Sequence, residues 1–182
     1  MYQRMFTTAL VLACSFGSRS LFAQGATQAV RGAAAGLQQT VQDNQKPLTA
    51  GPEDPKEKAA PGKIDPNAER DFKSTDSGLK YRILRKSGGR KPNAAEKVEV
   101  HYKGWLDNSS IFDSSYRTGK PIAFYLNQVI KGWTEGVQLM GEGEMIELVI
   151  PPQLGYGARG TPGGPIPPNA QLHFIVELIS IK

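Results

Sequence analysis

Residues 98–106 read VEVHYKGWL, and the alternation within this stretch decides the class of fold. Apolar or small residues at positions 98, 100, 102, 104 and 106 alternate with Glu99, His101, Lys103 and Trp105. A period of two indicates a β-strand with one face against the core and the other toward solvent. Positions 107–108 (DN) suit a turn, and positions 111–113 (IFD) resume a strand, so the sequence predicts an antiparallel hairpin.

Further strand-like runs surround this hairpin and leave room for one helix. The helix is predicted over 131–140, where Trp133, Val137 and Met140 repeat at i, i+4 and i+7. It is short and contains two glycines, so its stability must come from packing on a sheet. The other strands are predicted at 78–84, 122–126, 145–150 and 172–179. Together they indicate an α+β domain, in which a five- or six-stranded curved antiparallel sheet wraps around one short central helix.

The stretch between the last two strands is a loop shaped by proline and glycine. Residues 151–169 read PPQLGYGARGTPGGPIPPN and hold six prolines and five glycines around Tyr156. Gly155, Gly157 and Gly160 match the GxGxxG pattern of dinucleotide-binding loops. That pattern requires a helix directly afterwards, and the TPGGP at 161–165 prevents one. The loop therefore predicts a rigid functional rim rather than a phosphate cradle.

Composition excludes several classes of site. The net charge is +5, but the basic residues are scattered rather than clustered, so we expect no nucleic-acid partner. The single cysteine, Cys14, excludes zinc sites built from four cysteines or from two cysteines and two histidines. His101 and His173 each lie in a strand-like run without a second ligand at metal spacing, and we expect no metal.

The N-terminus predicts export, with three alternatives for its fate. Arg4 precedes an apolar run at 5–13, and small residues follow near 23–25, which is typical of a cleaved secretory signal over residues 1–23. The run is too short to span a membrane. The VLAC at 11–14 also resembles a lipobox, which would place a lipid anchor on Cys14. The absence of acidic residues before Asp43 fits an organelle transit peptide instead.

Residues 24–72 predict a flexible, disordered tether before a folded domain at 73–182. Ala, Gly and Gln dominate 24–45, and five prolines stand among mixed charges at 46–66. These compositions bury too little apolar area to order a chain by themselves. A dimerising helix over 26–44 is an alternative for the first part. No second apolar surface is evident, so we expect a monomer.

Large aromatic residues are spread over separate strands, the helix and the loop. A core role suits Phe124, which shares one face with Ile122 and Leu126, whereas Tyr156 lies between two glycines, in a loop with little interior in which to bury its ring.

Five motifs stand in the order and spacing of the FKBP-type peptidyl-prolyl cis-trans isomerases, which the region 73–182 resembles. They are VHYxG at 100–104, FDSS at 112–115, VIxGWxxG at 129–136, LGYG at 154–157 and IPPNA at 166–170.

The resemblance implies a shallow apolar pocket between the sheet and the helix. Trp133 would form its floor, and the Ile130 N–H and the Tyr156 hydroxyl would hold carbonyls of a bound chain. The Asp113 carboxylate is implied at the rim, either in catalysis or satisfying nearby backbone or a basic group. The implied catalytic residues are Tyr102, Phe112, Asp113, Trp133, Tyr156 and Phe174, and the implied substrate-binding residues are Ile122, Phe124, Val129, Ile130 and Ile166.

The implied activity is rotation of Xaa-Pro bonds in folding proteins without a cofactor, with proline-containing chains as substrates and macrolides as inhibitors. The alternative is a binding module or chaperone of the same fold with negligible isomerase activity. We expect an exported, periplasmic or secreted protein, or alternatively a membrane-anchored lipoprotein or a protein of an organelle lumen. Two positions depart from the family pattern: Ile122 replaces a common phenylalanine wall, and Thr118 replaces an arginine that often pairs with Asp113.

Overall fold

A computed structural model describes residues 47–182 of the chain. The predicted signal segment, the possible lipid anchor at Cys14 and the first part of the predicted tether lie outside the described residues. One helix, α1, spans Lys131–Val137, and short 3-10 turns occupy Ser115–Arg117, Leu126–Gln128, Pro152–Leu154 and Gly157–Arg159. The strands are β1 (Lys73–Ser74), β2 (Lys80–Arg85), β3 (Lys97–Leu106), β4 (Ile111–Ser114), β5 (Ile122–Tyr125), β6 (Met145–Ile150) and β7 (Leu172–Ile181).

All seven strands form one antiparallel sheet, in the order β1-β2-β6-β7-β3-β4 with β5 also paired to β3. The alternating stretch that predicted the hairpin is the long strand β3, which pairs with β7 along its length. On its other edge, β3 pairs with β5 over its first residues and with β4 toward its end. The predicted α+β class is confirmed, and the sheet has one strand more than the predicted maximum because the two-residue β1 extends it.

The helix packs closely on β6 because two of its residues lack side chains. A Cβ on Gly132 would lie 2.5 Å from the Ile150 side chain, and one on Gly136 would lie 2.7 Å from Leu148. The helix ends at Val137 rather than at the predicted Met140, since the N–H groups of Leu139 and Met140 bind carbonyls three residues back. Met140 is nevertheless fully buried in the main core.

The opposite face of the sheet is covered as well. Residues 47–66, which we call the N-terminal strap, lie on this outer face, and Leu48, Ala50 and Ile64 pack against its buried side chains. Those side chains are Leu84, Trp105, Met145 and Ile175. The outer face of β3 therefore differs from the solvent-facing side that the alternation predicted, because Lys103 and Trp105 are both buried.

The folded body also begins earlier than the predicted boundary at residue 73, since Pro47–Lys182 forms one compact unit. The strap forms no core of its own and uses the sheet's apolar outer face instead. Its backbone also bonds to the domain: the N–H groups of Lys58 and Ala59 donate to the Tyr116 carbonyl at 2.9 and 3.2 Å. The composition argument failed here because it considered the segment in isolation. Within residues 47–182, no helix is long and apolar enough to cross a bilayer.

Candidate active site

A cleft of about 470 Å³ opens between the helix, the inner face of the sheet and the 151–169 loop. The structure brings every predicted site residue except Ile166 to the wall of this one cleft. Strands β3, β4, β5 and β7 contribute side chains, as do the helix, the turn before it and the loop. The lining residues are Tyr102, Phe112, Asp113, Ile122, Phe124, Gln128, Val129, Ile130, Trp133, Tyr156 and Phe174.

The indole of Trp133 lies at the centre of an aromatic cluster at the base of the cleft. It is 5% exposed, and three rings surround it. Its centroid lies 5.2 Å from Tyr102 and 5.2 Å from Phe174, both edge-to-face, and 5.4 Å from the tilted ring of Phe124. Such contacts fix ring orientation as well as burying area. The base of the cleft is therefore an apolar surface whose rings hold one another in place.

A bulge in the hairpin aims two adjacent side chains into the cleft. Gly104 of β3 pairs with Asp113, and the register then shifts so that Trp105 pairs with Ile111. Phe112 has no partner across the ladder, which lets Phe112 and Asp113 both line the cleft although consecutive strand residues normally face opposite ways.

Phe112 reaches the base of the cleft through a gap that only glycine leaves open. A Cβ on Gly104 would lie 2.6 Å from the rings of both Phe112 and Phe174. Those two rings meet edge-to-face, with centroids 5.5 Å apart. The small residue in the VHYxG motif therefore permits the contact that joins the two walls.

The Tyr102 hydroxyl and the Asp113 carboxylate form the main polar contact of the cleft wall. The hydroxyl donates to Asp113 Oδ2, and the Ser114 N–H donates to Asp113 Oδ1 at 2.9 Å. Burial raises the pKa of Tyr102, and the hydrogen bond to Asp113 raises it further. Tyr102 therefore remains a hydrogen-bond donor throughout the physiological pH range.

Arg117 does not take the place of the arginine that the family pattern has at position 118. Its Nε donates to Asp54 Oδ2 at 2.6 Å, and its Nη2 donates to the Ile111 carbonyl at 3.3 Å. Thr118 instead donates from its hydroxyl to the Ser115 carbonyl. Of the two roles left open for Asp113, these contacts agree with satisfying a neighbouring backbone N–H and a hydroxyl, and no basic side chain of residues 47–182 pairs with it.

Two hydrogen-bond donors, the Ile130 N–H and the Tyr156 hydroxyl, belong to residues that line the cleft. Ile130 precedes α1 directly, and its carbonyl accepts from the N–H groups of Trp133 and Thr134. Within the described residues its own N–H has no acceptor. Tyr156 is 42% exposed on the loop and also lines the cleft.

The loop that carries Tyr156 is fixed by its own hydrogen bonds. The Thr161 N–H donates to the Ile166 carbonyl at 2.9 Å, and the Asn169 N–H donates to the Gly157 carbonyl at 2.9 Å. No α-helix follows Gly160, as the prolines required. The rim is therefore held without regular secondary structure.

Ile166 is the predicted site residue that the structure places elsewhere. It is 5% exposed and belongs to the main core, so it supports the loop from below rather than lining the cleft. Gln128 lines the cleft although it was not predicted. The available signal was its position directly before Val129 and Ile130, which both line the cleft.

Both histidines have partners in the structure. His101 stacks on Tyr116, with ring centroids 4.9 Å apart, and lies 2.9 Å from the Ser115 hydroxyl. His173 stacks on Trp105 and lies 2.7 Å from an Asp107 carboxylate oxygen. Among residues 47–182, no three His, Cys, Asp or Glu side chains are grouped closely enough to hold a metal ion.

The family model of FKBP-type peptidyl-prolyl cis-trans isomerases matches residues 88–179. The chain belongs to this family. The matched range includes all the lining residues, the whole of β6 and most of β7. The FKBP domain of this chain therefore contains the whole cleft.

Curated relatives extend the similarity to about 110 residues. The chain is 53% identical over 116 residues to the macrophage infectivity potentiator of Trypanosoma cruzi, covering 63% of this chain and 59% of that protein. It is 48% identical over 113 residues to a probable FKBP-type peptidyl-prolyl cis-trans isomerase of Haemophilus influenzae, covering 62% of this chain and 46% of that one. The match thus spans about half the length of these relatives.

Solved structures share the fold. The crystal structure of FkpA from Escherichia coli matches with a TM-score of 0.59 and 45% identity, covering 63% of this chain and 53% of that one. The crystal structure of AtFKBP13 matches with a TM-score of 0.57 and 36% identity, covering 62% of this chain and 99% of that one.

Proposed function

We propose that this chain is a peptidyl-prolyl cis-trans isomerase that accelerates rotation of Xaa-Pro bonds in folding proteins. The observation that carries the proposal is the buried Trp133 floor, surrounded by Tyr102, Phe124 and Phe174 at ring distances of 5.2–5.4 Å. A proline ring is small, rigid and apolar, which suits a shallow site of this composition. Membership of the FKBP family supports the same activity.

The chemistry requires an environment rather than a reactive group. Rotation about an ordinary peptide bond has a barrier of roughly 18–20 kcal/mol, because amide resonance is lost in the twisted state. The twisted carbonyl is less polar than the planar one, so a dry aromatic surface favours it over the ground state. This explains why the lining contains one carboxylate, Asp113, whose oxygens are engaged by Tyr102 and Ser114.

Polar groups at the mouth would hold the flanking chain while the bond rotates. The Ile130 N–H and the Tyr156 hydroxyl are suited to donate hydrogen bonds to carbonyls on either side of the proline, which leaves only the Xaa-Pro torsion free to rotate. Ile122, 40% exposed at the mouth, would contact the residue before proline. Its branched side chain leaves more room there than a phenylalanine.

We further propose that the substrates are exported polypeptides and that the protein works as a monomer outside the cytoplasm. The support is the apolar, acid-free N-terminal segment, which is typical of a secretory signal. Lipidation of Cys14 and delivery to an organelle lumen are the alternatives. Mass measurement of the mature protein distinguishes them: a start near residue 24 supports secretion, and a diacylated Cys14 supports the membrane anchor.

The activity is tested with a proline-containing tetrapeptide in a protease-coupled isomerisation assay, with and without a macrolide. We expect the isomerisation rate to rise well above the uncatalysed rate, in proportion to the protein concentration, and to be reduced by the macrolide. A chain that binds unfolded protein but leaves the peptide rate unchanged would instead be a chaperone of this fold, which contradicts the proposal. The strength of macrolide inhibition also tests whether Ile122 and Thr118, the two departures from the family pattern, weaken macrolide binding.

A further inference from the structure

The wall of the cleft that holds Phe112 and Asp113 is built on β4, the last strand of the sheet order. Along one edge, β4 pairs with β3. The N-terminal strap contacts the end of β4 and the turn that follows it, at Ser114, Tyr116 and Arg117. We propose that Glu57, in this strap, is a positioning residue that fixes Asp113 and Tyr102 for isomerisation. The inference rests on the proposed function of the cleft.

Glu57 joins two buried groups directly behind the cleft wall. One oxygen of its carboxylate, Oε2, lies 3.0 Å from Lys103 Nζ, and the other, Oε1, accepts from the Ser114 hydroxyl at 2.7 Å. Lys103 is 3% exposed and Ser114 is 5% exposed. These two residues are direct partners across β3 and β4. One carboxylate from the strap thus binds both strands at the position of the hairpin that presents Asp113.

A short series of hydrogen bonds connects Glu57 to the cleft. Its partner Ser114 donates from its backbone N–H to Asp113 Oδ1 at 2.9 Å, and Asp113 Oδ2 accepts from Tyr102. A movement of Ser114 would therefore change the carboxylate that orients the phenol. Among residues 47–182, no arginine pairs with Asp113 to hold it independently, and Arg117 is bound to Asp54.

Other strap contacts hold Glu57 in register with the hairpin. Asp54 pairs with Arg117 at 2.6 Å, and the Pro52 carbonyl accepts from Lys103 Nζ at 2.9 Å. The Lys58 N–H binds the Tyr116 carbonyl. These contacts flank Glu57 on both sides, so the carboxylate is presented by a bound segment and not by a free chain end.

The test compares full-length Glu57→Gln with two matched controls. Glu53→Gln removes an exposed carboxylate from the same strap. Glu147→Gln removes the carboxylate of another buried ion pair, to Arg82 at 2.6 Å, on strands away from the hairpin. It therefore controls for lost stability alone. Glu57→Gln could prevent folding because it leaves the buried Lys103 ammonium unpaired. In that case the double variant Glu57→Gln/Lys103→Met, which removes this charge as well, takes the place of the single variant in the comparison.

Two readouts are measured well below the unfolding temperature of each variant: kcat/KM for the tetrapeptide and hydrogen exchange of the Ser114 amide. We expect the Glu57 variant to lose about tenfold in kcat/KM, because a small displacement of a positioned group costs one to two orders of magnitude. We also expect about tenfold faster exchange at Ser114, since its local opening becomes easier. Both controls should stay within about twofold of wild type in each readout.

The outcomes separate the two proposals. Equal losses in Glu57→Gln and Glu147→Gln would reduce Glu57 to a stabilising residue and overturn the inference. So would unchanged kcat/KM together with unchanged Ser114 exchange. If the wild-type chain does not catalyse isomerisation, the proposed function fails by itself, and the exchange at Ser114 alone decides whether Glu57 positions the hairpin.

Discussion

Two proline-rich segments lie on opposite faces of the sheet, and they are ordered by different means. The 151–169 loop has six prolines and the 47–66 strap has five. The loop is closed by bonds within itself, such as Thr161 to Ile166 and Asn169 to Gly157. The strap is held by bonds to other elements, such as Glu57 to Lys103 and Gly62 to Glu177. Similar compositions therefore give a self-supporting rim in one case and a docked segment in the other.

The difference shows that order in an irregular segment depends on where its hydrogen bonds go. Glycine and proline in the loop provide the tight turns that let neighbouring backbone groups pair. The strap lacks such turns over most of its length, and its carboxylates Asp54, Glu57 and Asp65 bind groups of the domain. Its apolar residues Leu48 and Ile64 cover Trp105 and its neighbours on the sheet. The two segments can be tested separately because they contact opposite faces.

The largest expected effect comes from removing one tryptophan from each face. Trp133 and Trp105 are both less than one-tenth exposed, so replacing either by alanine should cost about 3–5 kcal/mol in urea unfolding. Only Trp133→Ala should abolish isomerisation of the folded protein, with kcat/KM falling by at least about 100-fold. Substantial activity in folded Trp133→Ala would show that catalysis does not need the Trp133 indole. A comparable loss of kcat/KM in Trp105→Ala would contradict the expectation that only the cleft face of the sheet contributes to catalysis.

A smaller effect is expected from shortening one isoleucine on each side. Ile64→Ala removes a partly buried anchor of the strap and should cost about 1–2 kcal/mol, with kcat/KM close to wild type. Ile122→Ala, at the exposed mouth, should cost less than about 1 kcal/mol and change the preference for the residue before proline. Chemical denaturation and a series of Xaa-Pro peptides measure the two effects. Identical preferences in Ile122→Ala and wild type would contradict its role at the mouth.

The strap should also weaken in acid through Glu177. Burial raises the pKa of this carboxyl, but the Gly62 N–H, the Tyr116 hydroxyl and Arg85 together hold it below the ordinary value of 4.5. Because the folded pKa is lower than the unfolded one, the stabilisation is complete above about pH 4.5 and is lost as the pH falls through the folded pKa. Unfolding free energies measured from pH 7 to pH 3 should therefore decline less steeply in Glu177→Gln than in wild type.

The pKa of Glu147 is shifted in the opposite direction to that of Glu177, which provides a check on this pH dependence. Burial raises the pKa of Glu147, and Arg82 offsets that rise only in part. Protonation in acid thus favours the folded state at this carboxyl, so Glu147→Gln should make the decline in acid steeper. Parallel pH profiles for the two variants would be inconsistent with the assigned directions.

The smallest effect on stability is expected at the rim. Tyr156→Phe removes an exposed hydroxyl and should change the free energy of unfolding by less than about 0.5 kcal/mol. If the hydroxyl holds a substrate carbonyl, kcat/KM should fall about threefold to tenfold, as for one hydrogen bond. Tyr125→Phe is the matched control, because Tyr125 is 46% exposed and does not line the cleft. Equal kcat/KM values for the two variants would contradict a role for the Tyr156 hydroxyl and leave the Ile130 N–H as the proposed donor to the substrate.

Much of the fold and most of the cleft could be predicted because their signals are local. The period of two in 98–106 predicted β3, and the i, i+4, i+7 pattern at Trp133 predicted the helix that packs on the sheet. Motifs spread over residues 100–170 predicted which aromatics meet. Ile166 was misplaced because its motif gave its neighbourhood but not the direction of its side chain. Gln128 was missed because no pattern distinguished it from the rest of its turn.

The sequence by itself determined the class of fold, the family and the aromatic composition of the cleft, since these depend on spacing along the chain. Only the tertiary structure decided how the outer face of the sheet is covered and where Arg117 and Glu57 find their partners. Those contacts join residues 46 to 63 positions apart, such as Lys103 to Glu57 and Arg117 to Asp54. No periodicity links such residues, so a segment with the composition of a tether is ordered only by the surface that it meets.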